Sequence, residues 1–274
     1  MNIMILKDIP PWEWPRNADK MILDVLHDDS ADGSERHLAV ELAGDSTVIC
    51  DELADALLSA LGNELEPDDL RGQAAIALGP ALEYAFIDDF EDPDEVPITE
   101  QMFHRIQETL YRLYLDETAP KIVRRRILEA SVRAPQDWHQ NAVQDAYTRD
   151  DEAWKLTAVF CMQFIRGFDE QILESLSSED PAILYEAVCG AGNWEIKAAW
   201  PHIAAFVTDS ETEKDLLLAA IESAALIRPH EASEILGPLL DSDDEDISDA
   251  VYEALAMTGA FWDEDDDEEP PTFH

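Results

Sequence analysis

Apolar residues recur at helical spacing along almost the whole chain, as in Ile22, Val25 and Leu26, then Leu53, Ala56, Leu57 and Leu61, then Phe103, Ile106 and Leu110. The strict alternation and β-branched runs of half-buried strands are missing. Prolines punctuate the pattern at 67, 80, 120, 135, 181, 201 and 229. Several follow acidic or small polar residues, as in "EDP" at 179–181 and "EPDD" at 66–69. Such clusters predict helix starts, with proline in the first turn and acids at the positive end of the helix dipole. The pattern gives about fourteen helices joined by short turns, an all-α protein.

One stretch, "LRGQAAIALG" at 70–79, is a copy of something repeated. With Arg71 as position zero, small or apolar residues stand at +3, +4, +6 and +7: Ala74, Ala75, Ala77 and Leu78. The same template fits from Arg36 (Ala39, Val40, Leu42, Ala43), Arg124 (Ile127, Leu128, Ala130, Ser131) and Lys155 (Ala158, Val159, Cys161, Met162). Without the basic residue it fits from Leu184, Leu217 and Ser248. The intervals between starts are 35, 53, 31, 29, 33 and 31 residues. The long interval holds an acidic, proline-bearing insertion, "DDFEDPDEVPIT", at 88–99. Self-similarity at this period predicts an α-solenoid: a right-handed superhelix of about seven helical hairpins, each covering its neighbour's apolar stripe. Small side chains at +3 and +6 let the second helices approach closely.

The template resembles the HEAT repeat. The resemblance is carried by Leu70, Arg71, Ala74, Ala75, Ala77, Leu78 and Gly79, which match the run that opens the second helix of a HEAT unit, and by the acidic turns "EPDD" at 66–69 and "DSDDED" at 241–246. It spans roughly residues 14 to 262, between an N-terminal extension (1–13) and an acidic tail (263–274). Units five to seven lack the basic residue, unit three has Ile127 and Leu128 for the alanines, and the last unit reads as a cap. The resemblance implies a binding scaffold. Enzymes on similar scaffolds set a second alternative: a di-iron hydroxylase built on several His-Glu pairs, a DNA glycosylase with a basic face, and bilin lyases. This chain has one His-Glu pair, His230-Glu231.

Charge changes the picture. The chain has 62 acidic residues against 18 Lys and Arg, a formal net charge of -44. Such a surface repels nucleic acid and anionic membranes, and favours a basic protein partner. The alternative source of the acidity is adaptation to a salty cytoplasm. Three cysteines, Cys50, Cys161 and Cys189, with no C-x-x-C, indicate neither disulfides nor a zinc site and suit a reducing cytoplasm. The opening apolar run ends at Lys7 and Asp8, too short for a signal core, and no window approaches a membrane span.

Chemical motifs are sparse, and the reading implies no cofactor and no metal. The seven histidines never pair at i, i+4. The segment from Asp241 has acids at positions 1, 3, 5 and 9 of a calcium loop, but Asp246 replaces its glycine and Tyr252 its glutamate. Trp138, His139, Trp154 and Glu186 are the scattered polar candidates for an enzyme pocket. The surface is more informative. Positions +1, +2 and +5 point away from the packing stripe and line the inner face of a curved solenoid. They are mostly polar in units one to three, including Arg125, Arg126 and Glu129; in unit four they include Leu156 and Phe160; in unit five they are Tyr185, Glu186 and Cys189. An apolar middle bordered by acids suits a basic amphipathic partner. Leu156, Phe160, Tyr185, Glu186, Arg125 and Arg126 are therefore the expected partner-binding residues.

Overall fold

The computed structural model describes residues 3–28, 30–90 and 96–257. All regular structure among them is helical: α1 (Met4–Lys7), α2 (Ala18–Leu26), α3 (Gly33–Ala43), α4 (Asp51–Gly62), α5 (Asp68–Ala77), α6 (Gly79–Asp88), α7 (Glu100–Leu115), α8 (Lys121–Ser131), α9 (Asp137–Tyr147), α10 (Glu152–Cys161), α11 (Asp169–Ser175), α12 (Pro181–Asn193), α13 (Trp200–Thr208), α14 (Lys214–Ile227), α15 (Pro229–Leu236) and α16 (Glu245–Met257). The seven template copies fall on α3, α5, α8, α10, α12, α14 and α16. The chain divides into two compact units, Met1–Thr148 and Arg149–His274.

In the first unit α2 packs on α3, α4 on α5 and α7 on α8, and the hairpins stack as α2–α4–α7 in one layer and α3–α5–α8 in the other. In the second unit α10, α12, α14 and α16 pack in succession, with α11, α13 and α15 against them. Each unit is thus a helical-repeat stack. The template positions are its core. Ala39, Val40, Ala43, Ala74, Ala75, Ala77, Leu78, Ile127, Leu128, Ala130, Ala158, Val159, Cys161, Met162, Ala187, Val188, Ala191, Ala220, Ile221 and Ala224 are all buried. Tyr252, at +4 of the last copy, is exposed, unlike Val40, Ala75, Leu128, Val159, Val188 and Ile221 at the same position.

The basic residue at position zero does the same job three times. Arg71 Nε donates to the Leu61 carbonyl at 3.0 Å and Arg124 Nε to the Tyr114 carbonyl at 3.0 Å; Arg36 reaches the Leu26 carbonyl through a terminal nitrogen at 3.4 Å. Each spans ten residues back to the end of the preceding helix. A cation there satisfies an orphan carbonyl and the negative end of the dipole.

Glycine stands at +8 in three of the seven copies, Gly44, Gly79 and Gly192. A Cβ on Gly44 would lie 2.5 Å from the Ala77 carbonyl oxygen and 2.8 Å from Ala77 Cα, so α3 and α5 touch backbone to backbone. On Gly79 it would meet the Arg133 side chain at 2.9 Å, and on Gly192 Ser223 Oγ at 2.6 Å.

Helix starts follow the acidic and proline signals. Asp180 caps α12 by accepting from Ala182 and Ile183, with Pro181 in the first turn. At "EPDD" the proline is itself the cap residue, and Asp68 and Asp69 occupy the first turn. The insertion is larger than the loop read at 88–99, because α6 starts at Gly79 directly after α5 and packs on α7 and α8. Residues 91–95, and the acidic tail at 263–274, lie outside the described residues.

Candidate partner-binding groove

The second unit carries a groove of about 840 Å³ on α12, α14 and α16. Its position follows from the repeat. The +1, +2 and +5 residues of these helices all line it: Tyr185, Glu186 and Cys189; Leu218, Ala219 and Glu222; Asp249, Ala250 and Glu253. The first turns add Glu213, Asp215, Leu216 and Asp246, and Met257 closes one end. Among the described residues, seven carboxylates line this space and no Lys or Arg does. Asp246 is held by Lys214 at 2.6 Å, which also pairs with Asp244 at 2.8 Å across one repeat. Glu186 accepts from the Gln163 amide.

The local potential shows in the thiol. Burial first, then the charge of Glu186, pushes Cys189 up to about 11. It stays a thiol at neutral pH. Tyr185 is raised as well, by its neighbour Cys189 and by burial. Tyr185 and Met257 remain exposed. The floor is therefore apolar and aromatic, and the rim is anionic.

The sequence-predicted residues separate. Tyr185 and Glu186 lie in the groove. Leu156 and Phe160, half-buried on α10, are not among its lining residues; Phe160 stacks near Phe164 with ring centroids 5.4 Å apart. Arg125 and Arg126 belong to the first unit. Arg125, expected on an open face, is buried at 9% exposure and lies 3.7 Å from Glu129, while Arg126 pairs with the same carboxylate at 2.6 Å. The physical reason is the i, i+3 and i, i+4 spacing of "RRILE", which brings both guanidinium groups onto one acid. Sequence reasoning missed Leu218, Ala219, Glu222, Asp249, Ala250 and Glu253, which the +1, +2, +5 rule finds when carried into units six and seven, and it missed the helix-end residues Glu213, Asp215, Leu216, Asp246 and Met257, which that rule does not find.

The enzyme-type candidates serve structure. His139 is fully buried: the Gln136 N–H donates to Nδ1 at 2.9 Å, which leaves the proton on Nε2 to reach Ser131 Oγ at 3.0 Å. Burial lowers its pKa to about 4, so it is neutral in the fold. Trp138 stacks on it at 3.7 Å. Trp154 is buried under the Arg149 guanidinium, 4.7 Å from the ring centre. His230 sits in the first turn of α15, where its neighbour Glu231 pairs with Arg228 at 3.1 Å. Among the described residues, no group of three or more His, Cys, Asp or Glu could hold a metal ion, and no helix is long and apolar enough to cross a membrane.

No family model matches the chain. A search of curated proteins finds no match either. Similar solved structures include an engineered protein (16% identity, TM-score 0.47, covering 94% of this chain and 77% of that one). The complex of CpcE and CpcF of phycocyanin lyase from a Nostoc species is similar over 92% of this chain and 98% of that one, at 18% identity and a TM-score of 0.46. Human deoxyhypusine hydroxylase in complex with glycerol is similar at 16% identity and a TM-score of 0.41, over 94% and 88%. At these scores none of them bears on what this chain does; the repeat rests on the chain's own equivalent helices, arginines and glycines.

Proposed function

We infer that this chain is a non-enzymatic protein-binding scaffold, an adaptor that holds a basic partner on the outward face of its second helices. One observation carries the reading: the groove on α12, α14 and α16 combines an apolar floor with seven carboxylates and, among the described residues, no lining cation. Carboxylates that only solubilise a surface have no need of an apolar floor between them. Charge complementarity steers a basic partner and rejects acidic ones, while apolar contact supplies affinity.

Affinity capture with the full chain and with the double variant Glu222→Lys/Glu253→Lys, each at low and at high salt, tests this. The expected result is a set of basic proteins that is retained by the wild type at low salt and lost both at high salt and with the variant. Capture of the same proteins by wild type and variant refutes it.

A further inference from the structure

The groove has a repeat of its own, and that repeat constrains the shape of its occupant. Glu222 and Glu253 occupy the same +5 position on α14 and α16, helices that pack against each other. Packed helix axes stand about 8–10 Å apart, so these two anionic positions are set about that interval apart, while the same position of α12 is Cys189. The apolar residues Tyr185, Leu218, Ala219 and Ala250 line the same groove from the +1 and +2 positions. A ligand lying across the three helices needs cations on one face at the same interval, with apolar side chains between. An extended strand repeats one face every two residues, about 6.6 Å, or every four, about 13 Å, and straddles the spacing. An α-helix repeats one face every two turns, seven residues or about 10.5 Å, and matches it. A second copy of this chain, at a net charge of -44, and the chain's own acidic run at 263–269 have the wrong charge for the groove.

Building on the scaffold reading above, we propose that the occupant of the α12/α14/α16 groove is a cationic amphipathic helix, with Lys or Arg at i and i+7 and aliphatic residues at i+3 and i+4 on the same face. The aliphatic residues pack on Tyr185, Leu218 and Ala219, and the cations meet Glu222 and Glu253. Glu186 and Asp249 border the same floor.

Three defined peptides and one folded protein, titrated against the full chain by fluorescence anisotropy near physiological salt, test this. The first peptide has three heptads of the proposed pattern. The second has the same composition with the lysines moved to opposite faces. The third keeps the lysines but replaces leucine with glutamine. The folded probe is lysozyme, a basic protein without a free amphipathic helix. The first peptide is expected to bind about tenfold tighter than either control, and to lose at least about tenfold on Glu222→Lys/Glu253→Lys or on Leu218→Gln. Circular dichroism checks that the variants fold and that the bound peptide is helical. Equal binding of all three peptides, or binding indifferent to the groove variants, overturns the proposal. Lysozyme binding that the charge reversal abolishes, with no preference among peptides, overturns the helical occupant and leaves the scaffold reading standing. Absence of binding by every probe, with no salt-sensitive partner captured, overturns both.

Discussion

In the first unit the +5 position of α8 is Glu129, and the +1 and +2 positions beside it are Arg125 and Arg126. Both guanidinium groups close on Glu129, which is buried. In the second unit the +5 positions of α14 and α16 are Glu222 and Glu253, beside Leu218 and Ala219 on one helix and Asp249 and Ala250 on the other. Both glutamates are exposed and face the groove. The same repeat slot therefore holds a self-satisfied ion cluster in one unit and an open anionic surface in the other. The scaffold is common to both; the function proposed for it depends on which cations the chain withholds.

The units also tie their helices differently. Arg36, Arg71 and Arg124 clasp the end of the preceding helix in the first unit. The second unit keeps a basic residue at that position only in Lys155, has Leu184, Leu217 and Ser248 in its other copies, and uses side-chain-to-backbone bonds that span about one repeat. Trp194 Nε1 donates to the Met162 carbonyl at 2.6 Å, Ser223 Oγ to the Val188 carbonyl at 3.0 Å, and Lys197 Nζ to the Ile227 carbonyl.

The largest effect expected on stability is from Gly44→Ala, which drives a Cβ into the Ala77 backbone and costs about 3 kcal/mol by denaturant unfolding. Gly192→Ala, which meets the Ser223 side chain first, costs less, and Gly33→Ala, with nothing within 4 Å, is close to neutral. Equal effects at Gly44 and Gly33 would remove the close approach from the account.

Protonation of His139 comes next. Its folded-state pKa of about 4 lies below the ordinary 6.5 because of burial. The unfolded chain therefore binds the proton first as pH falls. The neutral imidazole's contribution is complete above about pH 6.5 and is lost progressively down to about pH 4, roughly 3 kcal/mol in all. His139→Gln flattens that part of the stability–pH curve relative to wild type. An unchanged slope contradicts the buried neutral assignment.

Glu129→Gln is expected to cost roughly 2 kcal/mol, because it removes the charge that two guanidinium groups share, one of them buried. Glu222→Gln, at the same repeat position, is expected within about 0.5 kcal/mol of wild type, as an exposed group should be. A similar loss at both sites would erase the contrast between the units. Arg71→Leu, which installs the residue found at the equivalent positions 184 and 217, leaves the Leu61 carbonyl without its donor and lowers stability by about 1–2 kcal/mol.

Much of this was legible in the sequence because a repeat states its packing rule several times. The template starts fall on successive second helices, and the outward positions of three of them predict the groove lining. Two features were misread for local reasons. The insertion reads as a loop at 88–99, yet proline in a first turn also opens α6, so the chain turns straight into a new helix at Gly79. Arg125 reads as surface charge, yet an acid four residues on removes it from solvent. Which outward face stays open depends on how neighbouring helices cover it, and that lies in packing rather than in the pattern along one helix.

The most direct measurement is amide hydrogen exchange of the full chain with and without its captured basic partner. Added protection concentrated in α12, α14 and α16, and absent with Glu222→Lys/Glu253→Lys, is the expected outcome. Protection centred on α3, α5 and α8, or unchanged by the charge reversal, would contradict the claim that the acidic groove is where this protein binds.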